Sequence, residues 1–94
     1  MKWAYIVSYD LNAWDTFNYM PFFTELQDSL DWWHFLTFTW IVVRHDTLID
    51  LGKVLRSKLH SKDRLVILPA KGPADGWLPE PAWEWIKEHL NKEW

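Results

Sequence analysis

Asp10 is the residue in this chain best placed to do chemistry. It ends an apolar run, Trp3-Ala4-Tyr5-Ile6-Val7-Ser8-Tyr9, and is followed by Leu11-Asn12-Ala13. A carboxylate at a strand end can hold a hard cation such as Mg²⁺ or Mn²⁺, which takes oxygen ligands and keeps several of its waters. One carboxylate is too few, so such a site would need Asp10 from two chains facing each other. The competing reading is structural, because Asp and Asn close strands by bonding to backbone amides two residues on. We prefer the structural reading and assign no catalytic, cofactor-binding or metal residue, with Asp10 and Mg²⁺ or Mn²⁺ as the alternative.

The other chemistry-bearing residues are scattered. His34, His45, His60 and His89 show no spacing that would gather them on one helix face. His34, between Trp33 and Phe35, could act as a general base but fits a hydrogen-bonded sheet residue better. There is no cysteine, which excludes disulfides and thiolate metal sites. A phosphate loop, a dinucleotide fingerprint and a Ser/His/Asp neighbourhood are all missing.

Charge is unevenly spread. The chain carries a formal net charge of −3, the wrong sign for a dedicated nucleic-acid binder. Residues 1–43 and 72–94 are net −4 and −3, whereas residues 44–71 are net +4. Arg44, Lys53, Arg56, Lys58, Lys62, Arg64 and Lys71 supply that middle charge. A solvated helix face with its flanks accounts for it, and a local anion patch is the sharper alternative.

The elements that must hold these residues follow from periodicity. Trp3–Tyr9 reads as a strand. Asn18 caps a helix with Pro21 in its first turn, and Tyr19, Phe22, Phe23, Leu26 and Leu30 form its apolar stripe. Trp32–Phe35 and Thr39–Val43 read as a hairpin turning near Leu36–Phe38. Thr47 and Asp50 have the form of a capping box for a helix ending near His60, lined by Leu48, Leu51, Leu55 and Leu59. Asp63–Pro69 is a strand, uniformly apolar in its middle and so expected to be covered on both faces. Residues 70–81, with two glycines and three prolines, form a loop. Ala82–Asn91 closes the chain as a short helix with Trp83, Ile86 and Leu90 on one face and Trp85 elsewhere.

This order predicts one α+β domain over residues 1–94. The expected fold is a ferredoxin-like βαββαβ antiparallel sheet, with helices on one face and an extra C-terminal helix. The predicted core is Ile6, Phe23, Leu26, Leu30, Trp40, Val42, Leu51, Leu55, Leu59, Val66 and Leu68. Nine of the 94 residues are tryptophan, more than so short a chain is expected to enclose. Trp77, Trp85 and Trp94 are expected to pack the terminal segment onto the domain or onto a second copy. Surplus aromatic surface, and a sheet with helices on one face only, predict a homodimer. The residue after Met1 opens no basic and apolar leader, and no apolar run reaches membrane-spanning length, so a cytoplasmic location without membrane contact is expected.

The ending Ser8-Tyr9-Asp10-Leu11-Asn12, with Trp32-Trp33-His34, Thr39-Trp40-Ile41-Val42, Asp63-Arg64-Leu65 and a Trp-rich terminal helix, resembles small bacterial and phage proteins labelled "SinR family". Those chains lack the helix-turn-helix of the repreЅsor that gave the label. More distantly, Tyr9-Asp10 and the element order resemble the small ferredoxin-fold protein of the CRISPR spacer-integration complex and related interferase toxins. The first resemblance covers nearly the whole chain and bears on its pattern of elements, with no activity attached. The second implies a dimeric metal-dependent nuclease, or nucleic-acid-binding dimer, of defence or toxin–antitoxin type, with Asp10 at the two-fold interface. The strand Thr39–Val43 lacks the basic-Gly-aromatic pattern of an RNA-recognition platform. The two function classes that remain are a non-catalytic homodimeric interaction module, with a second protein as a further partner, and the nuclease or nucleic-acid dimer.

Overall fold

The computed structural model describes residues 1–90. The order of elements is β1 (Trp3–Asp10), α1 (Met20–Gln27), β2 (Asp31–Leu36), β3 (Thr39–Arg44), α2 (Leu48–Arg56), β4 (Arg64–Pro69) and α3 (Glu80–His89). The four strands form one antiparallel sheet in the order β2-β3-β1-β4. β1 and β3 are therefore central, and β2 and β4 are edges. Each strand–helix–strand connection steps over one strand: β1 to β2 over β3, and β3 to β4 over β1.

Local signals explain the helices. The cap position of α1 is Tyr19, one residue after the predicted Asn18, and its side chain makes no capping bond; Asn18 accepts from the Met20 amide at 3.0 Å, and Pro21 sits in the first turn, where its missing N–H costs nothing. α1 stops at Gln27, short of the predicted stripe, because the Leu30 N–H donates to the Val43 carbonyl and so enters the sheet. Thr47 caps α2 by accepting from the Asp50 amide at 3.3 Å. α2 ends at Arg56, one turn before His60, in a run of tight turns.

Alternation along the strands makes two cores. Odd residues of β1 (Tyr5, Val7, Tyr9) pack with Trp40 and Val42 of β3, Phe22 and Leu26 of α1, and Leu51 and Leu55 of α2. The opposite face carries a smaller core of Trp33, Ile41, Ala82 and Ile86, with Ile6, Trp83 and Trp85 against it. Thus α1 and α2 cover one face, and α3 covers the β2/β3 half of the other. Burying each large side chain in these clusters contributes about 1.5–3 kcal/mol.

Several expectations are corrected. Val66 and Leu68 are half exposed, because β4 is an edge strand and α3 stops short of it. Leu30 is exposed, having left the helix for the sheet margin. Ile6 belongs to the α3-side core instead of the main one, as its even position in β1 requires. Trp85 packs on that same α3-side core with Trp83. Trp77 is almost wholly exposed and so does not pack the terminal segment onto its own domain. Trp94 and the predicted last residue of the terminal helix, Asn91, lie outside the described residues. No described helix is long and apolar enough to cross a membrane.

Candidate functional site

Among the described residues, the feature that the fold leaves unfinished is the β1/β4 half of the sheet face on which α3 packs. The even residues of β1 meet the even residues of β4 there: Ile6 opposite Leu68, Ser8 opposite Val66, and Asp10 opposite Arg64. Ser8 also bonds Thr39 across the β1–β3 pair, hydroxyl to hydroxyl at 3.1 Å. Apolar positions therefore occupy one end of the strip, and a carboxylate beside a guanidinium occupies the other. Ser8, Tyr9, Asp10, Arg64, Leu65 and Val66 line an open hollow of about 320 Å³ at the charged end.

Asp10 is exposed, and among the described residues no hydrogen bond or ion pair reaches its carboxylate. The turn after β1 is closed by other groups. Asn12 donates from its side chain to the carbonyls of Asp10, at 3.4 Å, and Lys62, at 2.9 Å. Asp63 accepts from the Asn12 amide, the Tyr19 hydroxyl and the His60 amide at 2.7, 2.7 and 2.8 Å. Desolvation works to raise the Asp63 pKa, but those three donors outweigh it and hold the carboxyl below its ordinary value. The residue that closes the strand is thus Asp63, fifty-three positions from Asp10, and a local reading of Asp10-Leu11-Asn12 could not name it.

Two further polar centres serve the fold. Arg44 is buried and holds Asp46 at 2.7 Å and Glu25 at 3.0 Å, joining β3 to α1. Its hydrogen bond is the main reason the Asp46 carboxyl sits below its ordinary value, against a smaller desolvation effect. At the start of β2, Asp31 meets the His89 ring nitrogen Nε2 at 2.6 Å and the Trp85 indole N–H at 3.2 Å. His89 stacks on Trp85 with centroids 4.0 Å apart, so this trio fastens α3 to the sheet. Burial of Asp31 opposes its ionisation, yet the bonds from Trp85, the Trp32 amide and His89 leave its pKa lowered.

The histidines remain apart. His34 stacks on Trp40 at 4.1 Å and its Nε2 meets the Thr37 carbonyl at 3.2 Å, as a hydrogen-bonded sheet residue should. His45 meets the Met1 carbonyl, and the His60 ring accepts from the Lys62 amide. Among the described residues no group of three or more His, Cys, Asp or Glu could hold a metal ion. The basic middle stretch is dispersed: Arg44 is internal, whereas Arg56 and Arg64 line the flank of β4 with His60. No family model, curated protein or solved structure matches this chain.

Proposed function

We propose that this protein is a homodimeric, non-catalytic interaction module of ferredoxin-like arrangement. The central placing of β1 and β3, and two crossovers that each skip one strand, support the arrangement. The observation that carries the function is the β1/β4 half of the sheet face left open by the described residues, where Val66 and Leu68 stand half exposed on the edge strand β4. Contiguous apolar surface next to unpaired backbone is a site for another chain. Sedimentation equilibrium at micromolar concentration should give about twice the 11.4 kDa chain mass. A single-chain mass at 100 µM, an order-of-magnitude ceiling for a functional dimer, would refute the reading.

A second reading rests on Asp10 and Arg64 sharing one hollow. In it, paired Asp10 carboxylates would hold Mg²⁺ or Mn²⁺ for phosphodiester cleavage, and Arg64 would meet a phosphate. We expect purified protein to leave RNA and DNA intact in either metal. Metal-dependent cleavage lost on Asp10→Asn, with the melting temperature unchanged, would establish the nuclease instead.

A further inference from the structure

We infer that β4 pairs with β4 of a second copy, antiparallel, about a two-fold axis at Ile67. The result is one continuous eight-stranded sheet. This inference rests on the homodimer reading and gives it a geometry.

The backbone of β4 has a definite outward pattern. Ala70 donates its N–H to the Ala4 carbonyl at 2.8 Å, so Ala4 and Ala70 form a hydrogen-bonded pair. Bonded pairs alternate along an antiparallel ladder, so Leu68, Val66 and Arg64 also bond toward β1. Leu65, Ile67 and Pro69 consequently direct their backbone groups away from the sheet. The described residues offer no partner to the Leu65 and Ile67 amides. Pro69 has no N–H to leave unpaired at the edge, which is where proline is tolerated in a sheet.

A two-fold axis restricts the choice of register. Opposed residues must present side chains to the same face, so the axis must pass through one residue paired with its own copy. With the axis at Ile67, Ile67 bonds Ile67 of the second copy in both directions. Leu65 N–H then donates to the Pro69 carbonyl twice by symmetry, and each Pro69 ends the ladder. On the open face each Val66 stands opposite Leu68, so both half-exposed residues lose solvent together. Beyond the strand, Asp63 stands opposite Lys71, a pairing of opposite charge. Moving the axis to Val66 puts Leu68 opposite Arg64 and loses both features.

The flank agrees. Leu48, Ile49, Gly52, Arg56, Leu65 and Ile67 line a groove of about 230 Å³ between α2 and the β4 edge. Gly52 forms part of its wall, where an added Cβ would stand 3.2 Å from the Arg56 guanidinium and 4.0 Å from the Ile67 side chain. Ile49 is exposed at its rim. The second copy's Ile67 and α2 would cover this apolar wall. The other edge, β2, is blunted by a register shift between Trp33 and Leu36, whereas β4 pairs without interruption.

The geometry also separates the two functional readings. Asp10 lies opposite Arg64, three residues from the axis and one strand inward. From strand rise and spacing, the two Asp10 residues would then be about 25 Å apart, too far to share a metal.

Three measurements test the geometry. In wild type, amide exchange at Leu65 and Ile67 should slow on the order of tenfold or more as concentration rises through the dimer transition. Val66→Lys, at an exposed position, should keep the far-ultraviolet spectrum and sediment as a monomer. The chain has no cysteine, so Val66→Cys with Leu68→Cys should cross-link to a disulfide dimer, because the opposed Cα atoms would lie about 4.5 Å apart. Should Val66→Lys fail to fold, the exchange and cross-linking results decide. A wild-type dimer with unprotected Leu65 and Ile67 amides and no cross-link would overturn the β4 pairing and leave the homodimer standing. A wild-type monomer would overturn both.

Discussion

Asp63 and Asp10 show how differently two carboxylates in similar sequence settings can behave. Both adjoin strand ends, yet Asp63 accepts three hydrogen bonds from three separate segments while the Asp10 carboxylate stands exposed. Because the folded pKa of Asp63 is depressed, its contribution to stability is complete above the usual carboxylate range. It is lost as pH falls through the depressed value. Thermal melts from pH 7 down to pH 3 should therefore show a falling melting temperature, with a shallower fall in Asp63→Asn. That variant should also melt several degrees lower at pH 7, since an amide keeps one acceptor for three donors. An unchanged acid profile would mean that Asp31 and Asp46, also lowered, carry the whole effect.

Each helix is tied to the sheet by a different contact, and substitutions should register this. Leu55 of α2 is fully buried in the main core, so Leu55→Ala should cost about 2–5 kcal/mol in chemical denaturation. Leu30, predicted for the same core but half exposed, should lose less than about 0.5 kcal/mol on the same truncation. Equal losses at the two positions would contradict the assignment of Leu30 to the sheet margin. Arg44 joins β3 to α1 through two carboxylates. Arg44→Ala leaves Glu25 and Asp46 unpaired and should cost about 3 kcal/mol, provided both acids stay ionised. Strand and helix positions were legible from periodicity because neighbours along the chain share a face at fixed spacing. Helix ends at Gln27 and Arg56 were less legible, because they depend on a bond to β3 and on turn geometry.

At the scale of the whole molecule, the described residues leave uncovered half of one sheet face and the β4 edge beside it. A dimer formed there gains stability by mass action, so the melting temperature should rise with protein concentration. A calorimetric melt that stays constant between 5 and 500 µM, a range on the order of that spanned by weak and strong dimers, would argue for a self-sufficient monomer. Composition and alternation by themselves determined that the chain forms an α+β domain. They located its four strands and three helices and showed an excess of large aromatic residues. These properties are set by backbone geometry and nearest neighbours, so they are written in local order. Only the tertiary structure decided that β4 is an edge, that α3 covers the β2/β3 half of the second face, and that Val66 and Leu68 face solvent while Leu51 and Leu55 do not. An apolar run reads the same whether or not another element lies over it, because burial depends on residues far away in the chain.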